Sequence, residues 1–293
     1  MVERLRRFLE EDVGQGDITT FLTVPEKTEV LAEVVVKEGG VVAGIEEALV
    51  LCQGLKMQAK ALKHDGVRVK PKTPLLRIVG DARTLLSTER TLLNLLSRMS
   101  GIATMTSNLV CKAALYKTRV ACTRKVAPGL GYFDKKAVLL GGGDTHRLHL
   151  DDMVLIKDNH IKIAGNLDKA IRRAREQVSF SKKVEVEVSS AEDALRAAKA
   201  GIDMIMLDNL SPKEIKKTVL LLTKIGFRER VTLEASGGIN NKNILEYAKT
   251  GVDVVSVGEI THSPRALNIS LEVVKVTRKP KNTRNEVVAY RLC

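Results

Sequence analysis

From Arg119 onward the sequence repeats one rhythm: a short run rich in β-branched residues, a loop, then a stretch with apolar residues at helical spacing. Val154-Leu155-Ile156 predicts a buried strand, and residues 167–177 the helix that follows. Val184–Val188 predicts a strand before a helix over 191–200, which Gly201 stops. The pairs 204–207 with 212–223 and 231–234 with 244–250 repeat the pattern, and 252–257 closes it before Gly258. Strands that alternate with helices require a parallel sheet, because a parallel neighbour is reached only through a crossover. Several such units in series, with no Gly-x-Gly-x-x-Gly turn near the first, favour a barrel over a dinucleotide-binding sheet.

The first hundred residues read differently. Leu5–Glu11 predicts an amphipathic helix, Val30–Val36 a strand ending at Gly39-Gly40, and Glu46–Leu51 a short helix. Residues 59–62 and Leu75–Val79 predict further strands, each closed by a turn. Together they suggest an α+β unit with an antiparallel sheet. A long helix is expected over 83–100, with Gly101 either ending it or permitting close packing, and a second helix over 102–116. The tail from Thr277, basic at Arg278, Lys279, Lys281 and Arg284 and closing with residues 287–292, is either a mobile end or a strand returning to the first domain.

The bulk properties exclude more than they identify. Hydrophobic residues at 44% and charged residues at 28% are those of a globular chain and argue against disorder. No stretch nears the roughly 18 apolar residues of a membrane span, and the N-terminus lacks a signal-peptide core, so a cytoplasmic protein is expected. A formal net charge of +13 suits either a nucleic-acid surface or a pocket for small polyanions. With 3% aromatics, no Trp and no nucleic-acid motif, binding to DNA or RNA is not expected. Cys52, Cys111, Cys122 and Cys293 lack metal-ligand spacing and read as reduced thiols.

Barrel enzymes place reactive groups at the C-terminal ends of the strands. One strand carries Glu185 and Glu187, two apart and on one face. The next ends in Asp208-Asn209. Another carries Glu234 and runs into Ser236-Gly237-Gly238, and the last ends in Gly258-Glu259. Glycines after the last strands let backbone N–H groups approach a phosphate. Each has a plainer reading: Glu185 could bond to neighbouring lysines, Asp208-Asn209 could be a turn or cap, and Gly-Gly could be an ordinary turn. Their shared barrel face raises them above it. Opposite in sign is the segment 123–160, with Arg124, Lys125, His146, Arg147 and Lys157 around Pro128-Gly129 and Gly141-Gly142-Gly143. Arginine forks and lysine charges interleaved with glycine suggest backbone shaped around an anion.

Several segments resemble the quinolinate phosphoribosyltransferase family. They are residues 11–20 (Glu-Asp-Val-Gly-Gln-Gly-Asp-Ile-Thr-Thr), 89–96 with 100–104, Thr123-Arg124-Lys125 with Pro128-Gly129-Leu130, and Gly141–Gly143 with His146-Arg147. Residues 155–160, Leu207-Asp208-Asn209, 236–239, Val257-Gly258 and Thr261-His262-Ser263 complete the set, in the family's order. The run Lys157-Asp158-Asn159-His160 separates the chain from a molybdenum-associated branch that shares the Arg-Lys and His-Arg features. Three positions depart from the family pattern: Val126 stands where Thr is usual, Thr145 where Asn is usual, and Gly131 where Arg is frequent.

The resemblance implies an α/β protein with two domains: an N-terminal α/β sandwich over 1–103, with the tail 268–293 able to pack on it, and an incomplete (β/α) barrel over 104–267. It implies a homodimer, or a hexamer built as a trimer of dimers. The expected reaction joins quinolinate to phosphoribosyl pyrophosphate with Mg²⁺, giving nicotinate mononucleotide, pyrophosphate and CO2. By position, Thr123, Arg124, Lys125, His146, Arg147 and Lys157 would hold quinolinate, with Arg90 reaching in from a second subunit. Glu187 and Asp208 would bind ribose hydroxyls and Mg²⁺. Ser236, Gly237, Gly238, Val257, Gly258 and Glu259 would form the phosphate site.

Overall fold

Val30, Ala32, Val34 and Val36 are buried while the residues between them are not, the period of two that a strand with one covered face requires. In the computed structural model, which describes residues 1–278, this is the strand β1 (Glu29–Val36). Lys279, Lys281, Arg284, the run 287–292 and Cys293 lie outside the described residues. The chain divides into two units: Met1–Ser97 with the segment from Leu267 onward, and Arg98–Ala266.

In the first unit β1 pairs antiparallel with β5 (Pro74–Asp81), which pairs antiparallel with β3 (Gln58–Ala61). On its other edge β1 takes β12 (Ile269–Arg278), also antiparallel. The sheet order is therefore β12-β1-β5-β3, with a separate pair, β2 (Gly40–Val41) and β4 (Arg68–Val69). Helices α1 (Val2–Val13), α2 (Ile18–Thr23) and α3 (Ile45–Gly54) belong to this unit. Of the two readings of the tail, a strand returning to the first domain is the one found as far as Arg278. It begins at Ile269, eight residues before the point where the sequence drew attention to it, because only Ile269 is buried and the rest lacks a clear inward face.

The long helix is α4 (Ala82–Ala113), a single element of 32 residues where two helices were expected. Gly101 does not end it. A β-carbon there would collide with the Arg265 carbonyl, so glycine permits a close backbone approach within the second unit.

The second unit carries six parallel strands: β6 (Arg119–Ala121), β7 (Val154–Ile156), β8 (Val184–Val188), β9 (Met204–Asp208), β10 (Thr232–Ser236) and β11 (Val254–Ser256), in the order β6-β11-β10-β9-β8-β7. The first strand lies beside the last, as closure demands. Between β6 and β7 there is no ladder, only a bridge from Ala121 to Asp144, so the barrel is incomplete. Crossover helices are α5 (Gly131–Leu140), α6 (Asp158–Ala164), α7 (Leu167–Gln177), α8 (Ala191–Lys199), α9 (Pro212–Ile225), α10 (Ile244–Ala248) and α11 (Glu259–His262). Their starts follow from caps: Asn166, Ser190 and Ser211 each accept a backbone N–H of the first turn, and Pro212 sits at the first position of α9. No helix among the described residues is long and apolar enough to cross a membrane.

A buried ion pair ties α4 to α5. Arg98 Nε and Nη2 donate to Asp134 Oδ1 and Oδ2, both at 2.8 Å, and Nη2 also donates to the Thr261 carbonyl at 3.2 Å. Asp134 is fully buried, so removing its partner leaves a carboxylate with its charge uncompensated. Arg98→Leu is expected to cost about 3–5 kcal/mol. Urea unfolding measures it, and a change below about 1 kcal/mol would show that Asp134 is satisfied without Arg98.

Candidate active site

At the C-terminal mouth of the parallel sheet lies a cavity of about 810 Å³. Each strand delivers to it residues at or just past its C-terminal end. Thr123, Arg124 and Lys125 follow β6, His146 and Arg147 follow the Asp144 bridge, and Lys157 follows β7. Glu187 and Asp208 come from the ends of β8 and β9. Ser236, Gly237 and Gly238 follow β10, and Gly258 and Glu259 follow β11. Thirteen of the fifteen expected site residues therefore line one cavity. Val257 does not: it is fully buried in the core. Arg90 belongs to the first unit, exposed on α4.

The cations are not all free to meet a ligand. Lys157 Nζ donates to Glu187 Oε2 at 2.7 Å, so the pair shares its charge. Arg147 is buried, and burial together with the neighbouring Arg124 pulls its pKa below the usual arginine value. Two guanidiniums held close in this way favour an anion that bridges them. Asp208 shows the converse. Burial first, then the charge of Glu187, raises its pKa, and Asn209 Nδ2 donates to its Oδ2 at 2.6 Å. Two adjacent carboxylates of this kind suit a hard divalent cation or polyol hydroxyls.

His146 lines the cavity wall, but its Nε2 faces Glu234 Oε2 at 2.9 Å and Glu185 Oε2 at 3.3 Å. Burial opposes its charge, yet the hydrogen bonds and charges of the two glutamates raise its pKa to about 10. Glu185 thus bonds to no neighbouring lysine, the plainer of its two readings. Its own pKa is raised, chiefly by burial. His146 adopts a positive φ of 57°, held by its N–H donating to Asp144 Oδ1 at 2.7 Å.

Ten cavity residues were given no role from sequence, among them Asn209, Glu234, Ser256 and His262. Ser256 had a signal, a lone hydroxyl inside the valine run 252–257. Its buried Oγ has no hydrogen-bond partner among the described residues. Glu234 had one too, a charge at an inward position of a predicted strand. The three departures Val126, Gly131 and Thr145 are absent from the residues lining the cavity.

A parallel barrel whose mouth joins an arginine-lysine cluster to paired carboxylates defines an anion-handling barrel enzyme. The chain belongs to the quinolinate phosphoribosyl transferase family: the family's C-terminal domain model matches residues 102–272 and its N-terminal domain model residues 17–100. A probable nicotinate-nucleotide pyrophosphorylase (carboxylating) of Methanothermobacter thermautotrophicus is 47% identical over 275 residues, covering 93% of this chain and 99% of that protein. The human nicotinate-nucleotide pyrophosphorylase (carboxylating) is 38% identical over 239 residues, 81% of this chain and 80% of that protein. The solved structure of the nicotinate-nucleotide pyrophosphorylase from Francisella tularensis superposes with a TM-score of 0.86 at 37% identity, covering 93% of this chain and 95% of that one.

Gly237 has φ +98°, and a β-carbon on it would run into the Asn209 side chain. Asn209 itself holds φ 54°, so the two loops are fitted to each other. Gly237→Ala is expected to destabilise the protein by about 1–3 kcal/mol through backbone strain and that clash. Denaturant midpoints measure it; a variant as stable as the parent would show that the loop relaxes freely.

Proposed function

We propose that this chain transfers the phosphoribosyl group of phosphoribosyl pyrophosphate to quinolinate with decarboxylation. The products are nicotinate mononucleotide, pyrophosphate and CO2, the entry from quinolinate into NAD synthesis. The observation that carries this is the joining, in one cavity, of Arg124, Lys125 and Arg147 with the carboxylates Glu187 and Asp208. A pyridine dicarboxylate and a phosphorylated ribose need those two chemistries side by side. Family membership and the names of the relatives support the same reaction.

Arg124, Lys125, Arg147 and Lys157, with Thr123 and His146 beside them, grip the two carboxylates and aim the ring nitrogen at the anomeric carbon. That positioning lowers the barrier by holding together a dianion and a polyphosphate that repel in solution. The N–C bond forms as the C–O bond to pyrophosphate breaks, and the bonding pair leaves with pyrophosphate. Positive charge grows on the ribose ring, where Glu187 and Asp208 stabilise it and bind its hydroxyls. The C2–carboxylate bond then breaks, the pair stays on C2 and takes up a proton. Ser236, Gly237, Gly238 and Gly258, flanked by Val257 and Glu259, cradle the 5′-phosphate through backbone N–H groups. Glu187 and Asp208 are hard oxygen donors, and burial beside each other favours a cation between them, so they fit Mg²⁺. Held by Glu187 and Asp208, Mg²⁺ would supply neutralisation of the charge that develops on the leaving pyrophosphate.

The chain works in the cytoplasm, as a homodimer or a hexamer of three dimers, with Arg90 of one copy reaching the cavity of another. Mixing inactive Arg90→Ala and Arg147→Ala proteins under subunit exchange should then regain turnover, since some mixed sites carry both arginines. No recovery would place Arg90 elsewhere.

Assaying the purified protein with phosphoribosyl pyrophosphate and either quinolinate or nicotinate tests the reaction. Turnover with quinolinate, lost on chelation and regained with Mg²⁺, is expected; turnover of nicotinate alone would sink the proposal. Arg147→Ala should lower kcat/KM for quinolinate about a hundredfold or more with the fold intact. Unchanged activity would remove Arg147 from carboxylate binding.

A further inference from the structure

Glu185 on β8 and Glu234 on β10 are both fully buried inside the parallel sheet. A carboxylate in that setting costs several kcal/mol unless a positive charge answers it. Both oxygens of Glu185 and Oε1 of Glu234 have no hydrogen-bond partner among the described residues. What the pair does have is His146, whose Nε2 lies 2.9 Å from Glu234 Oε2 and 3.3 Å from Glu185 Oε2. The ring's side chain is itself 8% exposed.

The backbone around His146 is strapped from several sides. Asp144 Oδ1 accepts the His146 N–H at 2.7 Å. Lys135 Nζ, from α5, donates to the carbonyls of Thr145 and Arg147 at 2.5 and 3.0 Å. Of the other charged groups, Arg147 attracts Glu185 directly with Arg124 beyond it, Asp144 holds the turn, and Lys117, Arg119, Lys183 and Asp253 line a further cavity together with the ring. A histidine that merely filled core space would need one backbone acceptor and no positive φ. This one is aimed between two anions from separate strands, on a turn fixed at both ends.

Its place in the barrel gives that arrangement a use. His146 and Glu234 line the substrate cavity and also a second polar cavity of about 510 Å³. That second cavity is lined by Arg119, Lys183, Met204, Thr232 and Val254, residues at the N-terminal starts of the strands. The pair is therefore the wall between the two, and it can exchange protons with solvent from below while a ligand fills the mouth.

We propose that Glu185 and Glu234 are positioning residues that hold His146 as a fixed imidazolium in the floor of the substrate cavity, a standing cation beneath a ligand carboxylate. The proposal rests on the preceding reading only in taking the ligand to be a dicarboxylate. Arg124 and Lys125 are exposed and can follow the ligand; the imidazolium, like the buried Arg147 beside it, is held in place. It sets where the anion comes to rest. Burial opposes the charge, but the two glutamates hold the pKa near about 10, so the cation persists through neutral pH. A group whose pKa is raised in the folded protein contributes its stability fully below its ordinary pKa of 6.5. That contribution is lost only as pH rises through about 10.

Nitrogen-15 spectra of histidine-labelled wild-type protein test the charge without any assay, with His146→Gln identifying the signal among the five histidines. Both ring nitrogens of His146 should remain protonated at pH 8 and lose this only on approach to about pH 10. A neutral ring at pH 8, or a metal-bound one, would overturn the proposal. The role is read from Glu185→Gln and Glu234→Gln. In each, KM for quinolinate should rise about tenfold or more, and the alkaline limb of kcat/KM should move down by about 1–3 pH units, while KM for phosphoribosyl pyrophosphate changes less than twofold. Folded variants with an unmoved pH profile, or with both KM values raised together, would overturn it. If either Gln variant fails to fold, Glu185→Asp and Glu234→Asp, which keep the charge, should restore folding and an imidazolium signal; their restoring neither would equally overturn it. Should wild type turn over no quinolinate at all, the reaction assignment fails while the spectra still decide the imidazolium.

Discussion

Glu185, Glu187 and Glu234 point into the bore of the parallel sheet, at rows where barrels usually pack branched hydrocarbon. Register makes the rows explicit: Glu187 pairs with Met206, which pairs with Glu234, so two carboxylates stand in one layer with a methionine between them. Charges taken out of water must be answered, and the strands supply no cation beyond Arg119 at the exposed start of β6. The answers come from the loops, Lys157 after β7 and His146 after the Asp144 bridge. The sheet thereby dictates where two long loops begin. Arg147 follows His146 directly, and so enters the cavity at a position the bore has fixed.

The same charges leave two local imbalances. Arg124 beside Arg147 crowds positive charge at one place, and Glu187 beside Asp208 crowds negative charge at another. Neither pair is relieved by its own neighbours alone, since the shifts on Arg147 and Asp208 both disfavour their charged forms. A ligand that brings an anion to the first and a cation or hydroxyls to the second relaxes both at once. Charge placement on this pattern orients a bound molecule as well as attracting it.

The barrel was legible because short runs rich in β-branched residues recur in alternation with helical stretches, and because caps such as Ser211 with Glu214 mark the helix starts. Helix α5 escaped because Gly131, at its first position, reads as loop, and because Asp134 and Lys135 are buried there through ion pairing and carbonyl contacts that no periodicity reveals. Strand β12 escaped for the opposite reason, exposure along nearly its whole length. At the site, glycine and arginine announced themselves. Glu234 stood out as a charge on a predicted strand but took no role from it, because a glutamate on a strand is usually solvated; the placing of β10 between β9 and β11 puts it in the buried interior.

The departures from the family pattern gain meaning from the same geometry. Val126 is half-buried against Gly131, whose β-carbon, if present, would stand 3.6 Å from the valine Cγ2. Thr145 serves through its carbonyl, which accepts from Lys135, a contact that asparagine would make equally well. The substitutions therefore fall on residues that shape the loops and spare those that face the cavity. Backbone contacts tolerate a change of side chain where a side-chain contact to ligand would not, so three replacements can gather within one segment while Arg124, Lys125, His146 and Arg147 stay in place to line the mouth.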